Sequence, residues 1–109
     1  VPARVIEENH HMLRLESPLG RLWALSSGKT PQQVILSIRP QHVRLMRGGG
    51  GDNHFAGTIE HSAFLGEFSE HIVAVGTQRL RVVSMPPLNW SDGPIEVEID
   101  PADIVVLPN

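Results

Sequence analysis

The chain has 109 residues, no cysteine, no tyrosine and a formal net charge of -3. That length suits one compact domain, and the missing cysteines exclude a disulfide framework and thiolate chemistry. The slightly acidic balance and the sparse ring surface, two tryptophans and three phenylalanines, count against a nucleic-acid binder, which carries a basic stripe or a stacking platform.

In chain order, Val1 to Ile6 predicts a first strand and Glu8-Asn9-His10-His11 a polar turn. Met12 to Glu16 alternates, with Leu13 and Leu15 on one face. Ser17-Pro18-Leu19-Gly20 signals a turn into a short strand, Arg21 to Leu25. After a loop over 26–32, Val34 to Ile38 alternates as a half-buried strand does. Pro40 ends it, because proline lacks an N–H and restricts the residue before it. A turn or single helical turn over Pro40 to His42 leads into a strand from Val43 to Arg47. Gly48-Gly49-Gly50-Gly51-Asp52 follows. No Lys-Ser or Lys-Thr comes after it, so it reads as a flexible connector and not as a phosphate-cradling loop.

His54 to Ala63 predicts the next strand, with a turn or bulge at Gly66 breaking the alternation of Phe64-Leu65-Gly66-Glu67-Phe68. Glu70 to Val75 pairs back, and Gly76-Thr77-Gln78 closes a hairpin into Arg79 to Val83. A loop over 85–94 precedes two last strands, Ile95 to Ile99 and Ile104 to Leu107. No long 3.6-residue period occurs. The expected fold is all-β, an OB-fold-like antiparallel barrel, with an immunoglobulin-like sandwich as the alternative.

The pattern repeats. Val34, Leu36, Ile38, Pro40, Val43 and Leu45 fall on Ile95, Val97, Ile99, Pro101, Ile104 and Val106. Upstream, Val5-Ile6-Glu7 is similar to Thr58-Ile59-Glu60, and Gly20-Arg21-Leu22 to the approach from Gly76 to Leu80. One β module is duplicated. The expected division of the single 1–109 unit is a first lobe at 1–47, a connector at 48–53 and a second lobe at 54–109. Ile38 and Ile99 are expected at equivalent buried positions.

Candidate chemistry is thin. Six histidines are scattered without ligand spacing. His10 and His11 point to opposite faces of a strand, and only His61 and His71 are placed to become diagonal neighbours. No metal site is expected. Glu96, Glu98 and Asp100 alternate with apolar residues and read as a solvated strand face. No nucleophile motif is present, so no catalytic residue is assigned. Phe64 and Phe68 either plug the end of the barrel or present a contact surface.

The residues Ser37-Ile38-Arg39-Pro40-Gln41-His42-Val43-Arg44-Leu45 resemble the "IRPE-x-V-x-L" segment of TOBE domains. These are the transport-associated OB domains of ABC importer ATP-binding subunits. Gly57-Thr58-Ile59-Glu60, then Phe64-Leu65-Gly66, then Ile99-Asp100-Pro101-Ala102-Asp103-Ile104 extend the likeness over nearly the whole chain. It is greatest to subunits serving maltose-type sugars, polyamines, ferric iron and sulfate. Gln41 departs from the usual glutamate, and the run Gly48 to Gly51 is not a family feature.

The resemblance implies a C-terminal regulatory and dimerisation domain, not itself an enzyme. Its motif residues are Arg39, Pro40, Gln41, Phe64, Leu65, Gly66, Asp100 and Pro101. No cofactor is expected in this chain: ATP and Mg belong to the parent's nucleotide-binding domain, and the start at Val1 fits a piece of that longer protein. The implied partners are a second copy of the subunit and, through the parent, the transporter's membrane subunits. The implied place is cytoplasmic, peripheral at the inner face of the plasma membrane. Because relatives in this broad group bind oxyanions such as molybdate, a small-oxyanion sensor is the first alternative, with Arg39, Arg44, Arg79 and Arg81 as available cations. A nucleic-acid-binding OB module is the second.

Overall fold

A computed structural model describes residues 1–9, 11–26, 30–48, 53–89 and 93–108. Within them run ten strands and two 3₁₀ turns. The first five strands are β1 (Pro2–Glu8), β2 (Met12–Ser17), β3 (Gly20–Leu25), β4 (Gln33–Ile38) and β5 (Val43–Met46). The rest are β6 (His54–Phe64), β7 (Ser69–Val75), β8 (Gln78–Ser84), β9 (Gly93–Ile99) and β10 (Ile104–Pro108). One 3₁₀ turn, Pro40–His42, joins β4 to β5; the other, Pro101–Asp103, joins β9 to β10. Period-two burial explains the strands. Ile95, Val97 and Ile99 of β9 are buried while Glu96 and Glu98 face outward. Both prolines sit at the first position of their turns, where no N–H is needed.

Ten strands form two antiparallel five-stranded sheets, ordered β10-β4-β1-β2-β3 and β5-β9-β6-β7-β8. Advancing every strand of the first sheet by one module gives the second. The duplication is thus a twofold relation between lobes, with one feature invisible in the repeat itself. Each module's last strand leaves its own lobe: β5 pairs with β9, Val43 opposite Ile99, and β10 pairs with β4, Ile104 opposite Ile38. Sheet membership therefore does not follow the halves 1–47 and 54–109. Each sheet curls until its edges approach, β10 to β3 and β5 to β8, giving the OB-like barrel architecture.

The ladder also corrects the upstream register of the repeat. The pairing slips by one residue between Val5 and Glu7 in β1 and between Ile59 and His61 in β6. Val5 therefore matches Ile59, not Thr58, and Ile6 and Glu60 are the extra residues. Each slip lies just past the point where the strand passes from one neighbour to the other. A bulge there adds the bend and twist that the curl requires. Gly66 forms a turn with φ of 87° instead of a bulge.

One core joins both lobes, from Leu13, Leu15 and Leu22 to Val73, Val82, Val97 and Ile99. Ile99 is fully buried, but Ile38 is only partly buried against this core. The expected equivalence holds in position and not in burial. Asn53 is buried at the junction of the lobes. Its Oδ1 accepts from the Trp23 N–H at 2.6 Å and its Nδ2 donates to the Trp23 carbonyl at 2.7 Å.

Candidate functional site

The two proline turns lie beside each other. Residues that correspond in the repeat, His42 and Asp103, face across the pseudo-twofold with Nδ1 and Oδ1 3.8 Å apart. Each turn packs on the third strand of the opposite sheet, the first on β8 and the second on β3. Asp100 caps its turn, its carboxylate accepting from the Ala102 N–H at 2.9 Å. Arg39 at the same place in the first turn makes no side-chain cap. Pro40 and Pro101 thus have a shared structural role at the crossing between sheets.

Gln41 lines an open groove of about 320 Å³. One wall is β5, with Val43, Leu45 and Met46; the other is the end of β8 and its loop, with Ser84, Met85 and Leu88. Ser84 is in register with Ser69, and Ser69 with Phe64. The structure therefore brings Gln41 and the Phe64-Leu65-Gly66 turn to one end of the second sheet, while Asp100 and Pro101 pack on the first. Phe64 is 52% exposed and Leu65 50%, with Met85, at 72%, near them. Phe64 does not plug the barrel end; its edge meets the His71 ring at a centroid distance of 6.2 Å. Phe68 is half-buried. The corresponding turn of the first lobe, after β1, carries Asn9 and His11, which are polar. Trp90, in the loop before β9, lies outside the described residues.

The four arginines do not converge on one site. Arg44 pairs with Glu98 and Arg81 with Glu70 across neighbouring strands, and Arg79 reaches over β7 to Glu60, all on an outer face. Arg39 stands apart at the first turn. Glu96 Oε2 lies 3.4 Å from His54 Nε2, both atoms buried without a hydrogen-bond partner, and Glu98 is mostly covered beside Arg44, so the carboxylate face expected to be solvated is largely covered at these two positions. His61 lies opposite Ile72, and His71 opposite Ser62. His61 is exposed and His71 buried, so the bulge has turned the two histidines to opposite faces.

His71 is the residue that motif reading missed. It is 0% exposed. Its Nδ1 lies 2.7 Å from Ser62 Oγ and its Nε2 2.8 Å from Ser69 Oγ. Ser69 also accepts from the Leu88 N–H at 3.0 Å. Burial holds the imidazole below its ordinary value of 6.5. A signal was present in the sequence: Ser69, His71, Val73 and Val75 share one alternating face, and the repeat places Leu13 where His71 stands.

No curated protein matches the chain in sequence. Among solved structures, it is similar to the cytoplasmic molybdate-binding protein ModG in a crystal form with molybdate bound. The identity is 13% and the TM-score 0.76, over 99% of this chain and 94% of that one. This likeness is one of fold. A family model for the TOBE domain matches residues 36–107, which hold both proline turns and every strand from β5 to β9. On that match, the chain belongs to the TOBE domain family.

Proposed function

We propose that this TOBE domain is a non-catalytic regulatory and dimerisation module of the ATP-binding subunit of an ABC importer. The observation that carries the reading is the family match across both proline turns. The exposed Phe64-Leu65 turn supports a contact role, since apolar side chains at a sheet end are available to a partner. Association of free domains costs roughly 4–15 kcal/mol of lost freedom. Within a parent subunit the second contact becomes intramolecular, at an effective concentration of order millimolar. A contact too weak to dimerise the isolated domain thus still serves as a clamp. The test compares the full subunit with one truncated before Val1, by sedimentation and by ATPase assay with the membrane subunits present. Truncation should weaken association or alter regulation while intrinsic ATP chemistry survives. Unchanged association and regulation would remove the clamp.

A second reading, an oxyanion-binding domain, is favoured by the ModG-like fold. The neutralised Arg44, Arg79 and Arg81 weigh against a site built on them within one chain. Calorimetry with molybdate, sulfate and phosphate tests it, and absence of heat with all three would rule against it.

A further inference from the structure

We propose that His71 is a proton-operated latch on the 85–88 segment, and through it on one wall of the groove. The reasoning starts from hydrogen-bond capacity. A neutral imidazole has one N–H donor and one acceptor nitrogen. Both nitrogens of His71 meet a serine hydroxyl, so one hydroxyl must donate to the ring and the other must accept from it. Ser69 has a second partner, the Leu88 N–H. Ser69 Oγ thus ties the imidazole to the loop that carries Met85, Pro86 and Leu88, all of which line the groove. In the neutral state every member of this chain is satisfied.

Protonation breaks the arrangement. Both ring nitrogens then donate, and the hydroxyl that had donated to the ring must turn its proton elsewhere. The new charge is fully buried, and its surroundings do not compensate it. On β6, Glu60 is engaged by Arg79 and His61 points outward; on β7, Glu70 is engaged by Arg81. On β8, Arg79 and Arg81 are those same partners, and in the turn after β6 Glu67 is exposed. His42, in the 3₁₀ turn packed on β8, faces Asp103. Among the described residues, no carboxylate contacts the His71 ring. Ser69 donates to Nε2 in the neutral state, since otherwise its own proton would have no partner beside the Leu88 N–H that it accepts. Once Nε2 is protonated, Ser69 Oγ must accept from two donors, the ring and the Leu88 N–H, while its own proton loses its acceptor; the Leu88 contact weakens and the 85–88 wall loosens. The first lobe has Leu13 in the equivalent place, so the device belongs to one lobe and the shared fold does not demand it.

The experiment is an NMR titration of the chain from about pH 8 to about pH 4.5, bracketing an ordinary histidine. It follows the His71 ring nitrogens, the exchange of the Leu88 amide corrected for its intrinsic pH dependence, and the methyl signals of Met85 and Met46. The expected result is a His71 midpoint below 6.5. At that same midpoint the two methyl signals should shift and Leu88 exchange should rise roughly fivefold or more, the scale of one lost hydrogen bond. In His71→Leu the midpoint should vanish from all three reporters. Should that variant fail to fold, Ser69→Ala supplies the second arm: Leu88 exchanges fast at every pH while His71 still titrates. The latch is overturned if Leu88 and the methyl signals ignore His71 protonation. It is equally overturned if the midpoint survives in His71→Leu, or if Ser69→Ala leaves Leu88 protected.

Discussion

Asn53 binds Trp23 through both ends of its amide, so one side chain satisfies an N–H and a carbonyl of β3. Asn53→Ala leaves both groups without that partner at a buried junction. A buried unsatisfied group costs about 1–3 kcal/mol, so the variant should lose about 2–4 kcal/mol in urea unfolding. Asn53→Asp keeps the acceptor and loses the donor, and should also be destabilised. His71 gives a second residue-scale prediction, in pH. Its folded value lies below 6.5, so below 6.5 the unfolded chain binds the proton first. The contribution of His71 to stability is complete above the unfolded value. It declines as pH falls below 6.5 and stops declining below the folded value. Urea midpoints measured across this range should show less decline in His71→Leu than in the native chain. The alternation of β7 carried the signal for the burial of His71, but reading the six histidines as scattered side chains passed over it. Asn53 was not legible, because a lone asparagine beside a glycine run looks like any turn residue and its partner is thirty positions away.

At the scale of elements, the period-two pattern located all ten strands to within about two residues, and the prolines located both crossings. Pairing was the harder problem. Alternation tells which face of a strand is buried and is silent about which strand lies beside it, so the exchange of β5 and β10 could not be inferred from either copy. A bulge is similarly hidden, since its extra residue, Ile6 or Glu60, has no composition of its own. The candidate site divided along the same line: Pro40, Pro101 and the Gly66 turn announced themselves, while the groove depends on two strands far apart in sequence. Gly57 shows how tightly β6 and β7 are set. A Cβ there would lie 2.9 Å from the Ala74 carbonyl oxygen and 2.9 Å from Val73 Cγ1. The backbone oxygen cannot swing aside, so Gly57→Ala should cost about 1–3 kcal/mol, the usual penalty of overpacking. Thermal unfolding followed by circular dichroism measures it. The first lobe already holds Ala3 at the matching place, so the restriction arises from the β6–β7 pair and not from the module.

For the molecule as a whole, the reciprocal strands mean that neither lobe is complete alone. Val43 closes on Ile99 and Ile104 on Ile38, so losing one lobe strips an edge strand and core surface from the other. Unfolding should be a single transition with coincident midpoints by fluorescence of Trp23 in the first lobe, read in a Trp90→Phe background, and by exchange of amides in β7 in the second. Two separate midpoints would mean the lobes stand independently.

The first sheet has a further consequence. Pro2 and Leu107 flank the same residue, Ile35, from opposite sides. The start of β1 and the end of β10 are thus about 10 Å apart, two strand spacings of roughly 4.8 Å. A linker of about four to six residues could join them, and the chain could be reopened within the glycine run at 48–51. Such a circular permutant, carrying β6 to β10 ahead of β1 to β5, should keep the same β spectrum and unfold cooperatively. The molecule is better pictured as a ring of ten strands, cut at one place, than as a line with a first half and a second.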